Sequence, residues 1–114
     1  MPSLKACVMA AALGSAQMVS AAAAAEVAVD QKDLKFVPEV VTIKVGDSIR
    51  FTDTDRIAHN VTIDNPDGTS EDKGMAEYNQ HIVVKFDKPG NYRAHCRIHP
   101  QMHMTIMVRP QVLR

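Results

Sequence analysis

Gly90-Asn91-Tyr92-Arg93-Ala94-His95-Cys96-Arg97-Ile98-His99-Pro100-Gln101-Met102-His103-Met104-Thr105-Ile106-Met107-Val108 is the stretch on which the fold turns. Its two flanks alternate: Tyr92, Ala94 and Cys96 against Arg93 and His95, then Ile106 and Val108 against Thr105 and Met107. A period of two is that of a half-buried strand, whose successive side chains point to opposite faces. Between the flanks lies a short loop carrying a thiol, an imidazole and a thioether at i, i+3 and i+6. Those positions share one face of a helix too, but Pro100 and the alternation on either side count against helix.

The same period recurs upstream. Val41, Ile43 and Val45 alternate with Thr42 and Lys44 before a Gly46-Asp47 turn, and Ile49 and Phe51 alternate with Arg50 and Thr52. Val61 and Ile63 continue the pattern, and Ile82, Val84 and Phe86 alternate with Val83 and Lys85 before Pro89-Gly90. With an N-terminal strand near Val27–Val29, this predicts seven or eight strands and an all-β, two-sheet antiparallel sandwich. Residues 65–79, with Pro66, Gly68, Ser70 and Gly74, read as a long polar connection.

Parity then says where the chemistry-bearing side chains point. His59 shares a face with Val61 and Ile63, Cys96 with Tyr92 and Ala94, and Met102 with Ile106 and Val108. Three of four candidates therefore face inward from strand ends, with His99 supplied by the loop between them. Thiolate, imidazole and thioether are the ligands suited to copper cycling between Cu(I) and Cu(II). Two imidazoles and a thiolate make a trigonal set, with a weak axial thioether. The predicted metal ligands are His59, Cys96, His99 and Met102, holding one copper ion per chain. A Cys-x-x-His step also begins zinc sites, but no second cysteine stands in the domain to complete one.

Cysteine usage points the same way. Of 114 residues two are Cys, and Cys7 lies in an alanine-rich N-terminal segment. Lys5, an apolar run to Val19 and the small residues Ala21–Ala25 read as a cleaved signal peptide over residues 1–25. Residues 26–114 are then one exported domain, expected in a bacterial periplasm. There the lone thiol Cys96, in an oxidising compartment, needs a reason to remain unpaired, and metal ligation supplies one. Thirteen basic residues balance thirteen acidic ones. That balance gives no reason to expect nucleic acid or an anionic membrane surface as partner, and the leader is too short and mixed to span a bilayer.

The pattern Gly90-x-Tyr92…Cys96-x-x-His99-Pro100-x-Met102, with His59-Asn60 upstream, resembles the small cupredoxins. It is most similar to the amicyanins, with pseudoazurins and plastocyanins further off. Phe36-x-Pro38 and Val45-Gly46-Asp47 with Phe51 also look like the family's early strands, so the likeness runs through nearly all of Glu26 to Val108. It implies a Greek-key sandwich with a type 1 blue-copper site. It implies an electron carrier rather than an enzyme, a monomer shuttling single electrons between a periplasmic dehydrogenase and a cytochrome c. Met102 and Met104 both stand within reach of the axial position, and amicyanin spacing selects Met102. In two places the chain departs from the family: Met104 replaces a usual glycine, and Arg97 replaces the Ser or Thr that bonds the Asn after the first His.

Two other readings remain at this point: a copper-binding protein for delivery or resistance, and a redox subunit with a second copper at His95. Parity turns His95 away from the first site, so an exposed strand histidine is expected. Asp53, Asp55 and Arg56, on a loop before His59, read as solvated charge.

Overall fold

The computed structural model describes residues 23–111; most of the predicted leader and the last three residues lie outside them. Among the described residues nine strands form, and no helix. They are β1 (Glu26–Lys32), β2 (Lys35–Val37), β3 (Val40–Lys44), β4 (Ser48–Asp53) and β5 (His59–Asp64). β6 (Ser70–Ala76), β7 (His81–Lys85), β8 (Gly90–Cys96) and β9 (His99–Arg109) follow. One sheet has the order β2-β1-β4-β7 and the other β3-β9-β8-β5-β6. The all-β sandwich expected from the alternation is present.

Two details go beyond the antiparallel expectation. β1 pairs with β4, and β3 with β9, in parallel. The chain crosses to the second sheet for β3 and returns for β4, and strands joined by a crossover rather than a hairpin can run parallel. The second detail is β6, which occupies the segment read as a polar connection. It is an edge strand whose residues are almost all exposed, so neither face demands apolar side chains and no alternation marks it. A bulge opposite Val61/Thr62 bends it, and Gly74 meets that bend with φ of 112°, which a side chain tolerates poorly.

Both sheets turn their apolar parity inward. Phe36 and Phe51 meet edge to face at 5.9 Å, as do Phe86 and Tyr92 at 5.1 Å. Ile49, Val61, Ile63, Ile106 and Val108 fill the space between the sheets. Asp47 closes the β3–β4 turn by accepting bonds from the amides of Lys44 (2.9 Å) and Ala25 (2.8 Å). Gly90 starts β8 beneath Pro66, whose Cγ stands 2.6 Å from where a Cβ would lie. β5 and β8 run antiparallel with Thr62 opposite His95. The first residue of β5 and the last of β8 therefore meet at one end of the second sheet.

Candidate metal centre

The β8–β9 connection is a two-residue turn, Arg97-Ile98, with Cys96 paired to His99 across it. The pairing jumps from His95–His103 to Cys96–His99, leaving Pro100, Gln101 and Met102 without counterparts on β8. A proline suits such an interruption because it has no amide to donate to the ladder. The turn carries His99 back over Cys96, and the extra residues return Met102 to the level of Cys96. Met102 and Met104 are both fully buried. Met104 lies opposite Ala94, one inward position deeper in the core.

His59 opens β5 and Cys96 closes β8, so the antiparallel register brings them together. His59 Nδ1 stands 3.2 Å from His99 Nδ1, and Cys96 Sγ 3.5 Å from the same atom. All three donors lie within 4.8 Å of one another. At tetrahedral angles, ordinary metal–imidazole and metal–thiolate bond lengths put two nitrogens roughly 3.3 Å apart and a nitrogen and sulfur roughly 3.6 Å apart. The three donors fit one shared ion. Among the described residues His59 and Cys96 are entirely buried while His99 is half-buried, so His99 is the donor that meets solvent.

Two of the three donors, His59 and Cys96, are held from outside the cluster. His59 Nε2 lies 2.7 Å from Asp55 Oδ2. An ionised carboxylate only accepts, so Nε2 carries the proton and Nδ1 presents its lone pair to the cluster. Asp55 also accepts from the amides of Asp33 (2.8 Å) and Leu34 (3.1 Å) in the β1–β2 turn. Burial pushes the Asp55 carboxyl up, but the bonds from His59 and the two amides outweigh it and leave it below the ordinary range. Asp53 is fully buried instead of solvated; desolvation raises it, against the bond from the Asp55 amide. Its Oδ2, and Oε1 of its cross-strand neighbour Gln31, are the buried side-chain acceptors without a partner among the described residues. The solvated-charge reading of Asp53 and Asp55 is therefore corrected: Asp53 ends β4 in its inward parity, and the loop that follows folds against the β1–β2 turn and takes most of the Asp55 carboxylate out of water.

The Cys96 sulfur accepts a bond from the Asn60 amide at 3.3 Å. The Asn60 side chain joins the two ligand-bearing segments, although Arg97 lacks a hydroxyl. Its Oδ1 accepts from the Arg97 amide (3.0 Å) and from Thr62 Oγ1 (2.7 Å). Its Nδ2 donates to Asp72 Oδ1 (2.9 Å) and to the Gly74 carbonyl (3.0 Å). Arg97 Nη1 closes the ring on Asp72 Oδ2 at 2.7 Å. Bonds from the Gly74 amide, Arg97 and Asn60 hold Asp72 below the usual carboxylate range. Asp72 belongs to β6, so its part in the site was invisible without that strand. Asp55 had one sequence signal, a carboxylate four residues before a candidate ligand.

His95 is half-buried, not fully exposed, and its Nδ1 pairs with Asp64 Oδ2 at 2.8 Å. Among the described residues the only group of three or more His, Cys, Asp or Glu close enough to share an ion is His59, Cys96 and His99.

A β-sandwich that closes two imidazoles and one unpaired thiol around a point at one end has the donor set of a blue-copper protein. Comparison with known proteins agrees. The family model of the cupredoxin-like domain matches residues 5–108. Amicyanin-alpha of Methylorubrum extorquens is 35% identical over 99 residues, covering 85% of this chain and 83% of its own. Pseudoazurin of the same organism is 43% identical over 96 residues, covering 76% of this chain and 63% of its own. The crystal structure of amicyanin from Paracoccus versutus superposes with a TM-score of 0.68 at 24% identity, covering 74% of this chain and 81% of that one. The chain belongs to the cupredoxin family.

Proposed function

We propose that the protein is a periplasmic electron carrier holding one copper ion on His59, Cys96 and His99, with Met102 as the long axial contact. The observation that carries this reading is the convergence of two imidazole nitrogens and the thiol sulfur within 4.8 Å of one another. Copper on such a set supplies a one-electron Cu(I)/Cu(II) couple. The chain's residues do the rest. Cys96, with the Asn60 amide on its sulfur, is the thiolate ligand. His59, locked by Asp55, and His99 complete the plane, and the register that returns Met102 to the level of Cys96 favours it over Met104.

The burial pattern supports a carrier over a delivery protein. With His59 and Cys96 fully buried, an acceptor protein cannot approach the ion without displacing core residues. The His99 ring edge is the way out, and Ile98, Pro100 and Gln101 around it are exposed. This small uncharged patch is a suitable docking face for redox partners. The resemblance to amicyanins nominates a periplasmic dehydrogenase as donor and a cytochrome c as acceptor, with the protein acting as a monomer and not as an enzyme. Residues 1–25 would serve as the export leader. Ala25 bonds Asp47 and Ser48 through its amide and carbonyl, and a cut after it would remove both contacts while leaving β1, from Glu26 onward, whole.

The test is the visible spectrum and copper content of the exported chain, whose N-terminus is read from its intact mass. One copper per chain and an intense blue Cu(II) form are expected. Cys96→Ser should lose the colour while the sandwich still folds. A variant that keeps the colour rejects the assignment. Rapid electron self-exchange supports the carrier; slow exchange with Cu(I) transfer to an acceptor apoprotein supports delivery.

A further inference from the structure

The side chain with the most specific geometry near the cluster, and with no part in binding the ion, is Asp55. Its Oδ2 accepts the His59 Nε2–H at 2.7 Å and the Leu34 amide at 3.1 Å, and its Oδ1 accepts the Asp33 amide at 2.8 Å. Its own amide donates to buried Asp53 at 2.7 Å. The His59 side chain is wholly buried and that of Asp55 is 16% exposed, so this contact is shielded from bulk water. Asp33 and Leu34 both have positive φ, 54° and 59°. Their conformation aims two consecutive amides at one carboxylate. Asp55 is fixed from both sides before any ion is present.

We propose that Asp55 is a positioning and tuning residue: its carboxylate, clamped by the β1–β2 turn, holds His59 in the Nε2–H tautomer and lowers the reduction potential by favouring the more highly charged oxidation state. The inference rests on the copper reading above and deepens it. Two physical effects act in the same direction. A ring N–H bonded to an anion makes the opposite nitrogen a stronger donor, as in carboxylate–histidine–metal arrangements. A full negative charge behind the ring also attracts Cu(II) more than Cu(I), and in a water-poor site that attraction is weakly screened. A neutral acceptor at this place would position the ring without the second effect. That difference makes the proposal separable from a structural role.

Asp55→Asn keeps an oxygen acceptor of nearly the same shape and removes the charge. The expected result is a blue protein whose Cu(II) affinity falls about tenfold more than its Cu(I) affinity, the lower end of what outer hydrogen-bond partners contribute. For a one-electron couple that tenfold change is a rise in potential of about 59 mV. Asp55→Glu should recover part of the shift. Asp87→Asn, which removes an equal charge from the loop after β7, should leave the potential nearly unchanged. A metal-free readout accompanies these: ring nitrogen NMR of the apoprotein should find His59 protonated at Nε2 in the parent and a mixture of tautomers in Asp55→Ala. Should Asp55→Ala not fold, Asp55→Asn and Asp55→Glu still decide. An unmoved potential in blue, folded Asp55→Asn overturns the proposal while leaving the copper reading intact. A parent protein that binds no copper defeats the copper reading instead, and the apoprotein tautomer still tests the positioning.

Discussion

Asn60→Ala is the substitution from which the site should suffer most without any donor being touched. The Asn60 side chain is almost fully buried and makes four hydrogen bonds: two accepted, from the Arg97 amide and the Thr62 hydroxyl, and two donated, to Asp72 and the Gly74 carbonyl. The partners are not equivalent. Asp72 and Gly74 lie near solvent and can rehydrate, whereas Thr62 is buried and its hydroxyl would be left unsatisfied. Counting about 1 kcal/mol for the amide bond and about 2 kcal/mol for stranding the hydroxyl gives a loss of about 3 kcal/mol. In a domain of this size that lowers Tm by roughly 12–24 °C. The assay is thermal unfolding of apo and copper-loaded protein, with Arg97→Ser alongside. That second substitution keeps the backbone amide and breaks only an exposed ion pair, so its effect should be a small fraction of the first. A drop of less than about 5 °C for Asn60→Ala would refute the claim that this side chain ties the two ligand segments, given the per-kilocalorie scale.

Three further outcomes follow from the same structure. Met102→Ala should raise or lower the potential while retaining copper. Met104→Ala should leave the visible spectrum nearly unchanged and destabilise by about 2–5 kcal/mol as a core truncation, which chemical denaturation measures; the reverse pattern would make Met104 the axial group. In the chain that retains Ala25, Asp47 is held below the usual carboxylate range by the amides of Ala25 and Lys44. Its folded value lies under its unfolded one, so its contribution is complete above about pH 4 and is lost as pH falls through the folded value. Asp47→Asn should lower Tm by roughly 4–8 °C at neutral pH, about 1 kcal/mol, and flatten the acid limb of a Tm-against-pH curve; an unaltered acid limb would refute it.

What could be read from the sequence was whatever one face of a strand decides alone. β4, β8 and β9 alternate because one side of each meets the core, and the same parity pointed Cys96, Met102 and His59 inward. Residue chemistry did the remainder, since a lone thiol with two imidazoles has few other uses in the oxidising compartment that the leader-like segment led one to expect. The failures share a cause. β6 is an edge strand wet on both faces and leaves no periodic trace, and with it went Asp72. Asp55 lies outside any periodic run, in a loop whose path depends on a turn of β1–β2 far away in sequence. Asp53, by contrast, shares the inward parity of Ile49 and Phe51 and was misread because it is charged. Hydrophobic patterning reports which face is dry; it carries no information about a carboxylate that is drawn inward by amides. Parallel pairing of β1 with β4 was hidden for a related reason, because the crossover through β3 is a property of the two sheets together.

The arrangement of supports bears on how the site works. His59 is gripped from the first sheet, through Asp55 and the β1–β2 turn, and Cys96 from the second, through Asn60 and β6. Among the described residues His99 has no hydrogen bond of either kind; its ring nitrogen meets the other two donors. Two donors are therefore fixed by the closed sandwich, and the third rides on a two-residue turn at the surface. If the chain carries electrons as proposed, a change of oxidation state at such a site would have little freedom to move His59 or Cys96, which would keep the structural cost of each electron small. Whatever adjustment remains falls on His99, the residue whose edge a partner would touch. Docking there would then do two things at once: exclude water from the one half-buried donor, and restrain the one donor that the fold itself leaves loose.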